Sequence, residues 1–377
     1  MRLLRCEISI GDYTFDFVTD VEITSSWDLL ADSATITIPK KLRYRGLDGK
    51  IRNFLVRGTE AVFKRGDPVK IDCGYYPTAE YGETEVYYTA FEGFVTDISP
   101  KRPITVQCED FAYHLKRMRI INYSSGKTPQ DLSYILLALA DLVDANTNGP
   151  KFSDVVHDIR AEVMDLGTTT IENMTYAGFL DSLKRTSGLR SYLKKVDGNE
   201  KPTLFVGFAR VTQTNTQNTF KIASNPPIKL SFGRDIISDS NLTYRNAKDV
   251  DISLTVTSID NNNKRLSVTA GASWGSARTL YYHHDLVRDE TTDEPIPSVQ
   301  KELQKTAEAM VAEFKFDGYR GSFTTFGVPQ VQHGNAVEIF NGDIADTNGT
   351  YLLEKVVTRF GQGGFRQEIS LSARINR

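Results

Sequence analysis

A strand-turn-strand pattern that occurs twice is the feature that most constrains the fold of this chain. The segments "GDPVKI", from Gly66, and "GNAVEI", from Gly334, each open with a turn glycine and place apolar residues two positions apart. Farther along, "VTDI" from Val95 aligns with "VTRF" from Val357, and each is followed by a turn and another alternating strand. Unrelated meanders also share such features, but the matching order of segments favours one antiparallel unit used twice.

The middle of the chain and one later segment have helical periodicity instead. A helix from about Pro129, one from about Tyr176 and one over Val299–Phe316 are predicted, because apolar residues recur three and four positions apart. Thr128 and Thr175 are candidate N-caps of the first two. The apolar stripes are Leu132, Ile135, Leu136, Leu139 and Val143; Phe179, Leu180 and Leu183; and Leu303, Ala307, Met310, Val311 and Phe314.

These patterns predict a mainly β protein with inserted helices, in which two similar small antiparallel β-barrels flank a helix-containing middle domain. At 377 residues the chain is long enough for several cores. We place the first barrel at residues 1–118, the middle α+β domain at 119–241 and the second barrel at 242–377. An irregular loop is expected near 40–65, and an inserted segment with a helix near 271–316.

Composition narrows the functional classes. With 40% hydrophobic and 25% charged residues the chain is typical of globular proteins, and a net charge of −3 argues against sequence-specific nucleic-acid binding. No apolar run is long enough to span a membrane, and Arg5 and Glu7 interrupt the N-terminal apolar run, so we expect no secretory signal. The three cysteines, Cys6, Cys73 and Cys108, are expected to be reduced core residues.

Candidate catalytic and metal sites are weak, and we predict no enzyme activity, no cofactor and no metal. "GASWG" matches the nucleophile-elbow pattern around Ser273, and Asp317 and His333 could complete a triad, but no strand-helix alternation surrounds it. His283 and His284 are adjacent, as are Glu109 and Asp110, and adjacent residues of a strand point to opposite faces. "GQGGF" at 361–365 lacks the spacing of a phosphate-binding loop.

Basic and aromatic residues alternate between Lys40 and Phe63, a mixture found both in nucleic-acid sites and at protein interfaces. The acidic balance of the chain favours the interface. Two Tyr-rich segments later in the chain, which begin at Gly74 and Leu280, are further contact candidates. The interface candidates are Arg43, Tyr44, Arg45, Phe54, Tyr75, Tyr76, Tyr281 and Tyr282.

The order of segments resembles the baseplate hub proteins of contractile phage tails, the Mu-like tail protein and late control protein D group, which is related to the hub part of type VI secretion spikes. The resemblance rests on "FKRGDPVKIDCGY", "FEGFVTDI", "VQCEDFAYHL", "AGFLDSLKRTSGLRSYL" and "GTYLLEKVVTRFGQGGFRQEISL", and covers most of the chain. Residues 40–65 and 271–297 match nothing in this family, so their roles stay open.

The resemblance implies a structural protein of the virion tail baseplate, assembled in the cytoplasm of the bacterial host. In that family a homotrimeric ring with two similar barrels per subunit adapts the sixfold tail tube to the threefold central spike, alongside other baseplate proteins. The sequence does not separate contractile from non-contractile tails, or a virus from a bacterial injection device. A receptor- or carbohydrate-binding module of the same particle is the alternative, because the Tyr-rich segments could form sugar-stacking platforms.

Overall fold

The computed structural model shows the mainly β, multidomain architecture with inserted helices that the sequence predicts. It describes residues 3–16, 18–39, 41–46, 48–55, 63–76, 86–99, 103–126, 131–146, 151, 155–160, 169–187, 189–195, 201–207, 227–259, 265–272, 276–281, 300–301, 303–305, 307–308, 311, 315–342 and 348–376. No helix within these ranges has the length and apolarity needed to cross a membrane.

Helices and strands are numbered in chain order. The helices are α1 (Ala112–Leu115), α2 (Leu132–Asn146) and α3 (Tyr176–Ser187). The strands are β1 (Leu4–Ile10), β2 (Tyr13–Phe15), β3 (Asp20–Ser26), β4 (Ser33–Ile38), β5 (Lys41–Arg45), β6 (Ile51–Leu55), β7 (Pro68–Tyr75), β8 (Val86–Ser99), β9 (Ile104–Glu109), β10 (Arg119–Ser124), β11 (Val156–Arg160), β12 (Thr170–Thr175), β13 (Arg190–Lys194), β14 (Thr203–Gly207), β15 (Ile228–Ser231), β16 (Ile236–Arg245), β17 (Ile252–Ile259), β18 (Arg265–Gly271), β19 (Ser276–Tyr281), β20 (Gly318–Phe326), β21 (Ala336–Phe340), β22 (Gly349–Gly361) and β23 (Gly364–Asn376).

Six antiparallel strands in the spatial order β3-β4-β9-β8-β7-β1 form what we call the first unit. Alternation along each strand buries one face, and Ile8, Ile36, Ile71 and Val106 are fully inaccessible to solvent there. Cys6, Cys73 and Cys108 are free and buried in the same core. The prediction of reduced core cysteines is confirmed.

Residues 41–55 were expected to be irregular, and this prediction is wrong. Strands β5 and β6 form an antiparallel hairpin whose β5 end pairs with β2, extending the first unit. Residues alternate here between exposed Arg43 and Arg45 and a half-buried Tyr44. The high charge of the segment concealed this period of two.

The second unit has the spatial order β16-β20-β23-β22-β21-β15. Matched strand by strand, this is the order of the first unit, and the matched strands also follow one another in the same order along the chain. One difference is that β15 runs parallel to β21, whereas β1 runs antiparallel to β7. The predicted duplication is therefore present as two six-stranded units within one continuous sheet.

Backbone hydrogen bonds fix the correspondence between the units. The Gly66 N–H donates to the Val95 carbonyl at 2.8 Å, and the Gly334 N–H donates to the Leu353 carbonyl at 2.8 Å. A β-bulge follows Val95 in one ladder and Leu353 in the other. The alignment of "GDPVKI" with "GNAVEI" thus holds, but Val95 is equivalent to Leu353 and not to Val357.

A shift of four residues keeps every side chain on the same face of a strand, because the period is two. The alternating pattern alone could not detect this error. The letters "VT" occur at both places, and the hairpin of β22 and β23 extends beyond its counterpart in β8 and β9.

A separate core lies in the middle of the chain. Helices α2 and α3 pack with a two-stranded sheet, β10-β12, and a three-stranded sheet, β11-β14-β13. All five predicted stripe residues of α2 and all three of α3 are buried. Thr175 accepts a hydrogen bond from the Gly178 N–H at 3.0 Å, as expected of an N-cap, whereas Thr128 lies outside the described residues.

A third group of strands is inserted between β16 and β20. Strands β18-β17-β19 form a small sheet, and the described residues within 300–311 are helical. Leu303, Ala307 and Val311 pack against this sheet. Met310 and Phe314 lie outside the described residues. The domain limits at 118 and 241 stay a prediction, although β16, which contains residue 241, pairs with β20 over much of its length.

Candidate functional site

The two units are joined by a strand pair that we call the seam. Residues Lys355–Gly361 of β22 pair antiparallel with Asp20–Ser26 of β3. The first part of β22, by contrast, pairs with β21 of its own unit. One long strand thus passes from the second unit onto the edge of the first, and backbone hydrogen bonds hold the units side by side.

Aromatic side chains close the seam on its inner side. Phe365 is fully inaccessible to solvent, and its ring lies 5.8 Å from Tyr75 and 5.9 Å from Tyr88, both of the first unit. The Tyr88 hydroxyl donates to the Gly327 carbonyl at 2.6 Å. Phe360 and Phe365, although they belong to the second unit, are therefore part of the first unit's core.

The outer side of the seam carries an ion-pair network. Arg359 lies 2.9 Å from Glu22 across the seam and 2.8 Å from Glu368 on β23. Its hydrogen bond lowers the pKa of Glu368 and, with that to Glu22, raises the pKa of Arg359. Because Arg359 is half exposed, we expect each pair to contribute less than about 1 kcal/mol. Strand pairing and aromatic burial dominate the seam.

A polar cluster lies where both units meet the middle of the chain. Its members are Ser25, Asp32, Asp110, Lys194 and His333. The Ser25 hydroxyl donates to Asp32 Oδ2 at 2.6 Å and lies 2.5 Å from His333 Nδ1. The Asp32 N–H donates to Asp110 Oδ2 at 3.1 Å, and Lys194 Nζ donates to the His333 carbonyl at 3.2 Å.

Burial controls protonation in this cluster. It raises the pKa of Asp32 to about 7 and that of Asp110 well above its ordinary value, and it lowers the pKa of His333 to about 3. Near neutral pH His333 is therefore uncharged. While Asp32 is ionised it accepts the Ser25 proton, and in that state His333 Nδ1 is the donor to the Ser25 oxygen.

The arrangement differs from that of a serine hydrolase. In a catalytic triad the histidine lies between the serine and the carboxylate, whereas here Ser25 lies between Asp32 and His333. The predicted partners of His333 are placed elsewhere or not described. Asp317 accepts a hydrogen bond from the Ala247 N–H at 2.7 Å, and Ser273 lies outside the described residues. Proximity of Ser25 and His333, 308 positions apart, had no sequence signal.

The polar cluster borders a cavity of about 750 Å³ between the units and the middle of the chain. Residues of β8, β13 and the loop that precedes β21 line it. Gln367, almost fully buried, accepts from the Val331 N–H at 3.0 Å and donates to the Pro329 carbonyl at 2.9 Å. It thereby fixes the loop that carries His333.

Other carboxylate and histidine candidates do not converge on a metal site. Glu109 forms an ion pair with Lys116 at 2.8 Å, while Asp110 turns into the polar cluster. His283 and His284 lie outside the described residues. Within the part of the chain that the structure describes, no group of three or more His, Cys, Asp or Glu residues could hold a metal. "GQGGF" forms the turn between β22 and β23.

Several predicted interface residues are displayed on the surface. Arg43 and Arg45 are exposed on β5, where Arg45 lies 3.5 Å from Asp16. Tyr76 is 46% exposed, with the Arg5 guanidinium 5.5 Å from its ring centre. Tyr44 packs edge-on against Tyr13 at 5.0 Å.

The remaining candidates are internal or only partly described. Tyr75 is buried against Phe365, so its contact is with the other unit of the same chain. Phe54 lies on β6 and Tyr281 on β19. Tyr282 lies outside the described residues.

No protein-family model matches this sequence, and no curated protein sequence matches it either. Among solved structures, the fold is similar to the 43 kDa tail protein of prophage MuSo2 from Shewanella oneidensis, with a TM-score of 0.54, 15% identity and 98% of each chain covered. It is also similar to a tail protein from Neisseria meningitidis MC58, with a TM-score of 0.58 and 13% identity over 98% of this chain and 96% of that one.

A third similar structure is the E. coli c3393 protein, described as a type VI secretion system component with structural similarity to the T4 bacteriophage tail proteins gp27 and gp5. The TM-score is 0.50 at 9% identity, over 97% of this chain and 76% of that one. These similarities confirm the fold that the family resemblance implied, over almost the whole chain.

Proposed function

We propose that this chain is a structural hub protein of a phage tail or a phage-derived injection device, and that three copies form a ring. The observation that carries the proposal is the pair of units with matching strand order and a matching β-bulge, joined edge to edge by the seam. The fold shared with phage tail proteins supports it.

Duplication has a physical purpose in such a ring. Three chains with two equivalent units each present six similar surfaces, so a threefold assembly can make six similar contacts with a sixfold partner. The partners on this proposal are the tail tube protein on one side, a central spike on the other, and other baseplate proteins around the ring. The protein then resides in the virion tail baseplate, after assembly in the host cytoplasm.

The proposal assigns no chemical reaction to the chain. Its polar cluster is a structural element on this reading, because the geometry at Ser25 differs from a triad and the low pKa of His333 makes it a weak base. The Tyr75 ring packs in the core and cannot stack on a sugar, which argues against the alternative of a carbohydrate-binding module.

Sedimentation-velocity ultracentrifugation of the purified chain tests the proposal. We expect a species of three times the 42.3 kDa chain mass at micromolar concentration, and class averages in negative-stain electron microscopy that show six similar lobes around a central opening. A stable monomer across this concentration range, or a particle without pseudo-sixfold symmetry, would contradict it.

A further inference from the structure

We propose that the contact between neighbouring copies repeats the seam. Strand β16 of one chain would add antiparallel to the second half of β8, residues Asp97–Ser99, of the next chain. This inference rests on the self-association proposed above and specifies which strands make it, and in which register.

The equivalence of the units identifies the strands. Within one chain the seam joins β22 to β3. The counterpart of β22 in the first unit is β8, and the counterpart of β3 in the second unit is β16. The seam's counterpart is therefore a β8–β16 pair, which is not among the strand pairs within the described part of the chain.

Strands β16 and β8 are both positioned in the sheet for this contact. Among the ladders of the described residues, β16 ends the sheet path, with β20 on its inner side. Strand β8 pairs with β7 only as far as Phe94, and with β9 from Phe94 to Ser99. Beyond Phe94, the side of β8 opposite β9 corresponds to the side of β22 that β3 occupies in the seam.

One hydrogen bond marks this edge. At the start of the seam the Glu354 carbonyl accepts from the Trp27 N–H at 3.3 Å. The equivalent carbonyl on β8 belongs to Thr96, and it accepts from the Arg65 side chain at 2.6 Å. A flexible side chain thus occupies a position that a backbone donor fills in the seam.

The ladders also define the register. In the seam Lys355 is opposite Ser26, and Val357 is opposite Thr24. Because the β-bulges in β22 and β8 are equivalent, Lys355 corresponds to Asp97 and Val357 corresponds to Ser99. Strand β3 pairs with β4 as β16 pairs with β20. In these two registers Thr24 corresponds to Thr243, and Ser26 corresponds to Arg245.

The proposed pairs are therefore Asp97 with Arg245 and Ser99 with Thr243. The first brings opposite charges together. Burial and, as the smaller cause, the positive charge of Arg320 lower the pKa of Arg245, and a carboxylate from a neighbouring chain would offset both effects.

Apolar exposure along β16 also favours a protein partner. Ile237 is 46% exposed and Tyr244 is 42% exposed on this edge strand. Exposed strand edges readily pair with another chain, and in natural proteins they are usually covered or made unfavourable for pairing. Each chain offers one β16 edge and one β8 edge, so the contact is head-to-tail and can close into a ring.

Disulfide trapping tests the register. The double variant Ser99→Cys, Thr243→Cys would place two thiols opposite each other across the contact, at a separation that a disulfide can span. With copper–phenanthroline as added oxidant, each thiol pair loses two electrons and two protons to the oxidant and forms one interchain bond. We expect covalent dimers and trimers on a non-reducing gel.

The matched control is Ser99→Cys, Ser238→Cys, which moves one thiol five residues along β16, about 16 Å away. The parent chain, whose three cysteines are buried, is a second control. A trimer in solution in which the matched pair is not trapped, or is trapped no better than the shifted pair, would overturn this inference and leave the proposed function standing. A monomer would overturn both.

A charge exchange gives an independent measurement. Asp97→Arg alone and Arg245→Asp alone should each raise the dissociation constant of the assembly about tenfold, and the double variant should restore it. Circular dichroism of each variant establishes that it is folded. Loss of assembly in the double variant, with native circular dichroism, would count against the proposed pair.

Discussion

The carboxyl of Asp32 is buried among the polar groups of the polar cluster, and burial raises its pKa to about 7. An unfolded aspartate titrates near its ordinary value of 3.8. Between these pH values the folded chain binds more protons at this site than the unfolded chain. The free energy of unfolding that Asp32 provides is therefore present at low pH and is lost as the pH rises to about 7.

We predict that Asp32→Asn, which mimics the protonated acid, gains stability relative to the parent as the pH rises from about 4 to about 7. The relative gain should be roughly 1 to 4 kcal/mol over this window. Urea denaturation of both proteins at several pH values measures it. His333 contributes an opposite slope, but it is present in both proteins and cancels to a first approximation. A pH-independent difference would show that Asp32 titrates normally.

The sequence showed His333 as one of five histidines and Asp110 as a neighbour of Glu109, without any sign that they meet. Their meeting depends on three loops brought together by distant strand pairs. Short-range patterns do not encode such contacts. The burial of the three cysteines, by contrast, could be predicted, because each lies on the buried face of a strand whose alternation is visible in the local sequence.

At the level of elements, the strands of both units and helices α2 and α3 could be predicted, because each has one buried face and therefore a clear period. Two features could not be predicted from the sequence. The β5–β6 hairpin was hidden by its charge, and the register between the units was off by four residues because strand alternation is insensitive to even shifts. Backbone hydrogen bonds, which leave no trace in residue type, settled both.

The pairing of β16 with β20 depends on a close backbone approach at Gly321. This residue has φ +103°, and a Cβ added there would lie 2.0 Å from the Asn241 carbonyl oxygen. We predict that Gly321→Ala destabilises the chain by about 2 to 4 kcal/mol, through backbone strain and displacement of β16. Thermal unfolding measures this cost. Gly363→Ala, at a turn position with nothing within 4 Å, is the matched control and should change stability little.

Across the whole molecule, the seam makes two units into one body. Its existence could not be predicted from the repeated pattern, which specifies each unit but not which edge meets which. The hairpin of β22 and β23 supplies the strand that pairs across the seam, and it extends beyond the equivalent hairpin of the first unit. The added length carries Phe360 and Phe365, which pack in the core of the first unit.

We therefore predict that Phe365→Ala unfolds more than the hairpin in which it lies. Removing this fully buried ring should cost about 3 to 5 kcal/mol, because a cavity opens between Tyr75 and Tyr88 in the first unit. Hydrogen exchange followed by mass spectrometry should show lost protection in β1 and β7, which are far from residue 365 in sequence. Ile339→Ala, equally buried but in the second unit's own core, is the control and should leave β1 and β7 protected at matched global stability. If Phe365→Ala loosened only β22 and β23, the seam would be a contact between independently stable units, because cooperative coupling requires that the first unit's core respond to the loss.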